Sequence, residues 1–194
     1  HNLIDHAIFS PRANVRFNPT EDINIRASYS SGFRAPQAFD EDMHISAVGG
    51  EIAMIQRAKD LKEEKSQSLS TSVDFYHRFK NGIQTNFLIE GFYTSLSDVF
   101  VLEDIGKDEQ GNIIKERRNG SGAKVMGLTL EGKSVLSSWL SLQAGVTLQR
   151  SRYNEPEKWS DNENVPTERK MFRTPNTYGY FTSTLTPLKH FTAA

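Results

Sequence analysis

Hydrophobic and polar residues alternate along this chain with a period of two, the spacing of side chains on an extended strand. The pattern is cleanest in residues 140–149, where Leu140, Leu142, Ala144, Val146 and Leu148 fall on one face and Ser141, Gln143, Gly145, Thr147 and Gln149 on the other. A helix would repeat its apolar positions at three and four, so this stretch predicts a strand with one apolar and one polar face. The same alternation sets Ile23, Ile25, Ala27 and Tyr29 against Asn24, Arg26, Ser28 and Ser30, and Ala13, Val15 and Phe17 against Asn14, Arg16 and Asn18. Leu69, Val73, Phe75 and Phe79 oppose Ser68, Ser70, Ser72, Asp74 and Arg78, and weaker versions run over residues 83–93, 126–136 and 178–185. With residues 190–194 opening another strand, the pattern predicts an all-β chain of about seven full strands and part of an eighth.

The connections order those strands. Residues 18–22, 80–82, 137–139 and 186–189 are short and rich in turn formers such as Asn18, Pro19, Gly82 and Pro187. Residues 31–63, 95–123 and 151–176 are long and charged, well past the ~12–15 residues at which a structureless connection becomes unusual. Short and long connections alternate strictly, so the turns gather at one end of the sheet and the loops at the other. That is the layout of antiparallel up-and-down strands in a transmembrane β-barrel, here incomplete. A soluble lipocalin-like or lectin-like sheet would keep this order only by chance. Inside the loops, Ile52, Ile55 and Ala58 predict a short helix over residues 51–62. Residues 99–102 and 113–115 predict the arms of a hairpin around 107–111.

Composition removes several classes. The chain has 194 residues, enough for one domain, and a net charge of −1, which offers no footprint for nucleic acid. It has no cysteine, so disulfides, thiolate metal sites and a cysteine nucleophile are excluded. A mean hydropathy of −0.55 and the absence of a long apolar run exclude a membrane-spanning helix but not a membrane barrel. The chain opens on His1 without a methionine or signal segment, and reads as a piece or a processed product. No G-x-S-x-G elbow, H-E-x-x-H pair or phosphate-cradling glycine loop is present, so neither an enzyme nor a cofactor is predicted. Asp104 and Asp108 lack the spacing of an EF-hand loop, and no metal site is predicted.

Three stretches then point to a family. Residues 26–36, Arg-Ala-Ser-Tyr-Ser-Ser-Gly-Phe-Arg-Ala-Pro, resemble the barrel signature of TonB-dependent outer-membrane receptors, R-x-S-x-S-x-G-F-R-A-P, a strand leading into an external loop. Residues 61–66 are similar to that family's leucine-x-proline-glutamate-x-serine element, with Glu63 where proline is usual. Residues 119–128 are similar to its asparagine-x-glycine-x-alanine-x-x-x-glycine element. The resemblance covers essentially the whole chain. It implies that residues 1–194 are a middle slice of a barrel domain of roughly 22 strands in the bacterial outer membrane, with the plug domain and TonB box upstream of His1. Such receptors take up bulky nutrients, typically ferric siderophores, haem, cobalamin or glycans, with energy supplied through TonB. Ile23, Ile25, Leu142 and Leu148 would then meet lipid. Arg16, Asn24, Arg26, Asp74, Arg78, Gln84, Asn86, Glu131 and Lys133 would line the lumen, with Arg26 and Glu131 paired across the wall or with the plug. Cut from its neighbours, such a piece has two raw edges and is expected to self-associate. The competing classes are a passive porin or adhesin barrel and a soluble β-sheet binding module.

Candidate ligand contacts lie in the long loops. Arg34, Asp40, Glu41, Asp42 and His44 form the densest polar cluster, and carboxylates beside a histidine suit a divalent ion or a metal chelate. The competing reading pairs Arg34 with Asp40 or Glu41 to brace the base of the loop. Trp159, with Tyr153, offers a surface for stacking on a ring or sugar. Trp139 fits an aromatic girdle beside the short turns, and Tyr93 and Tyr178 fit one beside the long loops. His77 falls on the apolar face near a turn.

Overall fold

The computed structural model describes residues 6–36, 53–157, 166–171, 174–188 and 191–193. In chain order its strands are β1 (Arg12–Thr20), β2 (Ile23–Arg34), β3 (Ala53–Arg57), β4 (Glu64–Arg78), β5 (Gln84–Ser97), β6 (Phe100–Lys107), β7 (Ile113–Asn119), β8 (Ala123–Val135), β9 (Leu140–Glu157), β10 (Glu168–Lys170), β11 (Thr177–Leu188) and β12 (Phe191–Ala193). β1, β2, β4, β5, β8, β9, β11 and β12 pair in that order, each antiparallel to its neighbours, and β10 pairs with β9. The up-and-down order and the seven full strands with the start of another are those the alternation predicts. Most strands are longer than predicted, among them β4 with 15 residues, β5 with 14 and β9 with 18. Crossing a bilayer takes about 9–11 residues of strand. In these three the excess lies at the long-loop end, where backbone pairing continues after the apolar alternation has stopped.

Register aligns the two faces across the whole sheet. Phe17, Ile25, Val73, Ile89, Leu130 and Val146 lie opposite one another in a single row running from β1 to β9. Ile23, Phe75, Phe87, Gly132, Ala144 and Phe181 form another row of the same face. Towards the long loops the face passes through a row of Tyr29, Leu69, Tyr93 and Met126 that ends on Arg150, and in the next row it is Ser31, Gln67, Ser95, Lys124 and Arg152. The apolar band therefore ends in one step. Along β4 it runs from Leu69 to His77, about 27 Å of strand, or roughly 20 Å of height at the 35–45° tilt of membrane-barrel strands, somewhat below their ~25 Å apolar band. The nine residues predicted to line a lumen all fall on the opposite face, with Arg16 opposite Arg26, Asn24 opposite Asp74, and Asn86 opposite Lys133.

A single layer cannot bury its own apolar face. Among the described residues Ala123, 3% exposed, is the one buried hydrophobic side chain, while Phe17, Leu148 and Phe181 stand open to the surroundings. Steric fit is tight within the sheet. The Tyr180 ring lies over Gly145 on the neighbouring strand, so close that a Cβ there would meet it at 2.5 Å.

A second sheet stands at the long-loop end. β6 and β7 form the antiparallel hairpin predicted for residues 99–118, and β3 joins β7 as a parallel partner, Ile55 opposite Lys115 and Arg57 opposite Arg117. This corrects the helix predicted over residues 51–62. Ile52, Ile55 and Ala58 have helical spacing, but the edge of β7 supplies the hydrogen bonds that a short isolated helix would have to make for itself. The position of Tyr178 is also corrected. It lies opposite Thr147 and so projects from the polar face, away from any girdle; Tyr93, opposite Leu69, is on the apolar face as predicted.

Gly122 closes the second sheet onto β8. Its φ is +89°, and a Cβ there would meet the Leu96 carbonyl oxygen at 2.1 Å. Gly122→Ala in the full-length protein is expected to lower unfolding stability by more than the ~1–2 kcal/mol cost of left-handed backbone alone. Gly132→Ala, where a Cβ meets nothing within 4 Å, should be nearly silent in the same urea-unfolding assay.

Candidate functional site

The three sequence motifs meet above the apolar band. Arg34 ends β2 on the polar-face side, and Glu64 opens β4 directly opposite. The Glu64 carboxylate binds in two directions: one oxygen lies 3.5 Å from Arg34 Nη1, and the other accepts the Phe100 N–H at the start of β6. The Arg34 guanidinium also sits 5.4 Å from the centre of the Phe100 ring, within cation–π range. Arg117, buried on β7, is close enough to Arg34 for their charges to repel. Burial, with that repulsion added, pushes the Arg117 pKa down.

Asn119 fastens the loops together. Its Oδ1 accepts the Lys62 N–H at 2.8 Å, while its Nδ2 donates to the Lys62 carbonyl at 3.0 Å and to the Asp98 carbonyl at 2.7 Å. One amide thus satisfies backbone groups of residues 58–63 and of the β5–β6 connection. The Ala58 N–H adds a bond to the Arg117 carbonyl at 2.9 Å. From the other side Asn154 on β9 donates through Nδ2 to the Ser121 carbonyl at 2.7 Å, and its N–H to that of Gly122 at 3.0 Å. At the far tip, Asp108 closes the β6–β7 turn by accepting the N–H groups of Gln110 and Asn112 and the Asn112 side-chain amide. The Asn112 side chain leads in holding the Asp108 pKa below the ordinary range.

Glu63 occupies the place usually held by proline in the resembling motif, and its carboxylate is drawn inward, 4% exposed. It lies 3.0 Å from Lys65 Nζ and 3.4 Å from His6 Nε2. A hydrogen bond from its own backbone N–H, then the Lys65 side chain, hold its pKa below the ordinary glutamate range against the opposing effect of burial.

The polar face carries a separate network. Arg26 lies 3.5 Å from Asp74 across β2 and β4 and donates to Asn24 Oδ1 at 2.8 Å, and both Asn24 and Arg16 donate to Asn18 Oδ1. Arg26 therefore pairs across the wall, as expected of it. Serine and threonine hydroxyls continue the face, Ser28 with Ser70 at 2.7 Å and Thr129 with Thr147 at 3.0 Å. Among the described residues no group of three or more His, Cys, Asp or Glu is placed to hold a metal ion.

Of the predicted ligand contacts, Arg34 is described, and its partner there is Glu64. Asp40, Glu41, Asp42, His44 and Trp159 lie outside the described residues. Glu64, Phe100 and Asn119 were not singled out as site residues in the sequence. The available signal was that Glu64 and Asn119 fall inside the two further motifs, which lie apart in the chain and together in the fold.

A family model for the TonB dependent receptor-like β-barrel matches residues 4–191, and the chain belongs to that family. Members are transporters of the outer membrane of Gram-negative bacteria. The fold is similar to the siderophore receptor PirA from Pseudomonas aeruginosa, with a TM-score of 0.59 and 16% identity over 94% of this chain and 37% of that one. It is also similar to the FrpB iron transporter from Neisseria meningitidis (F3-3 variant), with a TM-score of 0.54 and 19% identity over 74% of this chain and 20% of that one. The chain thus spans between a fifth and about two fifths of these solved structures. No curated protein matches the sequence.

Two outcomes follow from the geometry. Asn119→Ala in the full-length protein should raise amide hydrogen exchange in residues 55–62 and 98–119 together and leave β8 and β9 protected; a rise confined to the hairpin would contradict the clasp. Glu63, with its lowered folded pKa, stabilises the fold above its unfolded pKa, and this contribution is lost as pH falls through the folded value. Protection of residues 61–66 should therefore fall on acidification below about pH 4.3, the ordinary glutamate value, and Glu63→Gln should flatten that dependence.

Proposed function

We propose that the chain is a slice of the barrel wall of an energy-coupled outer-membrane receptor. The apolar face meets lipid, the polar face lines the lumen, and the long loops take a bulky nutrient from outside. The observation that carries this reading is the single apolar band that ends in one polar row beneath the motif-bearing loops. A soluble sheet module would cover such a face with a second layer, and among the described residues no second layer lies on it. The plug domain and the contact with the TonB complex belong to parts of the receptor outside residues 1–194.

Among ferric siderophores, haem and cobalamin, an iron chelate is favoured because the two similar solved structures are described as an iron transporter and a siderophore receptor. Asp40, Glu41, Asp42, His44 and Trp159 are the proposed cargo contacts. Arg34, engaged with Glu64 and Phe100, is proposed to hold the rim in shape.

Deletion of the full-length gene is expected to abolish growth on one of ferric chelate, haem or cobalamin supplied as the sole source, and loss of TonB should have the same effect. Normal growth of the deletion strain on all three would sink the proposal. Complementation with the combined change Asp40→Asn, Glu41→Gln, Asp42→Asn and His44→Ala should weaken cargo binding about tenfold or more, with unfolding stability unchanged.

A further inference from the structure

From β1 to Arg152 of β9 the charges on the apolar side of the sheet are all of one sign. Register assigns to that face Ala13, Val15 and Phe17 of β1, the odd-numbered residues of β2, β4 and β5, the even-numbered residues of β8, and positions 140 to 152 of β9 in alternation. The ionised side chains among them are Lys65, Lys124, Arg150 and Arg152, four cations and no carboxylate. The polar face, by contrast, mixes signs, with Arg16, Arg26 and Lys133 among Asp74, Glu90 and Glu131.

Their height is as selective as their sign. All four lie at the long-loop end. Arg150 is opposite Met126 in the last row of the apolar band, and Lys124 is opposite Arg152 in the first polar row above it. Lys65 lies one step further out and is held by Glu63. β10 adds Lys170 opposite Arg152, and beyond that row it sets Glu168 opposite Glu157. Lys124, Arg150 and Arg152 are exposed, and neither of their rows contains an acidic residue. Like charges directly opposite one another on a sheet destabilise the pairing. An anionic layer at that level would reverse the sign of their contribution, each cation near such a surface contributing about 1 kcal/mol of attraction.

We propose that Lys124, Arg150 and Arg152 form a binding site for the phosphate groups of net-anionic lipid headgroups packed around the barrel at the outer margin of the apolar band. The inference rests on the outer-membrane reading above and adds a ligand to the outside of the wall. The lipid tails lie against the band below, Leu128 and Leu148 first, while the phosphates reach the Lys124–Arg152 row. The serines and glutamine of the same row, Ser31, Gln67 and Ser95, supply further donors along it.

The test uses the full-length receptor in phosphatidylcholine vesicles, whose phosphate charge is balanced by choline, with and without lipid A, a lipid bearing two unbalanced phosphates. Flotation with the neutral vesicles checks the membrane reading separately: failure to float overturns that reading, whatever lipid A does. For a receptor that floats, lipid A should raise the thermal unfolding midpoint, and added salt should shrink the rise. The combined variant Lys124→Gln, Arg150→Gln and Arg152→Gln should lose the rise, and a polar-face control, Arg78→Gln with Lys133→Gln, should keep it. If the triple variant does not fold, Arg152→Gln alone should reduce the rise, and Arg152→Lys should restore most of it. No rise in the wild type, an undiminished rise in the cation variants, or an equal rise with free inorganic phosphate would each overturn the proposal.

Discussion

Register is the constraint on which the rest of this structure depends. A strand turns over completely when it slips by one residue, because its side chains alternate with a period of two. Here the pairings from β1 to β11 share one phase. Slipping β9 by one position against β8 would carry Leu142 and Leu148 to the polar side and Gln143 and Gln149 to the apolar side. The hydrophobic pattern of each strand thus selects its partner's alignment, and the short turns at 21–22, 79–83 and 136–139 leave little slack for any other.

At the opposite end, where the connections are long, turn geometry no longer fixes anything and side chains take over. Glu64 and Asn119 each bind more than one segment, through a carboxylate with two usable oxygens and an amide that both accepts and donates. Two loops that are distant in sequence consequently share one sheet, β3 resting against β7. Loop motion at this rim is collective in the described parts, since displacing β3 breaks a ladder that also belongs to the hairpin.

The strands were legible in the sequence because each carries its own signal. Leu140 to Gln149 reads correctly without reference to any neighbour, and the short turns follow from Pro19, Asn81 and Gly82. What was not legible depends on contacts far along the chain. The residues of β3 fit a helix by their spacing and became a strand only because β7 offers an edge. Tyr178 looked like a girdle residue until its pairing with Thr147 fixed its direction, a fact that lies in the alignment of two strands and not in either alone. Arg34 stood out as a charge in a motif, yet its partner at position 64 could be named only once the second motif was paired beside it. Asp40 to His44 and Trp159 fall outside the described residues, and their part stands as a proposal.

Ala123 is the one buried hydrophobic side chain among the described residues, and this changes what mutation can do to the wall. In an ordinary domain a truncated leucine leaves a void bounded by neighbours that cannot follow it inward, and an enlarged one collides with them. A face whose neighbours are fluid acyl chains has neither problem, because the surroundings flow to fit whatever protrudes. Selection on positions such as Leu128, Val146 and Leu148 would then act on polarity and hardly at all on shape. Related chains could therefore drift far apart in identity along the band while every strand keeps its place.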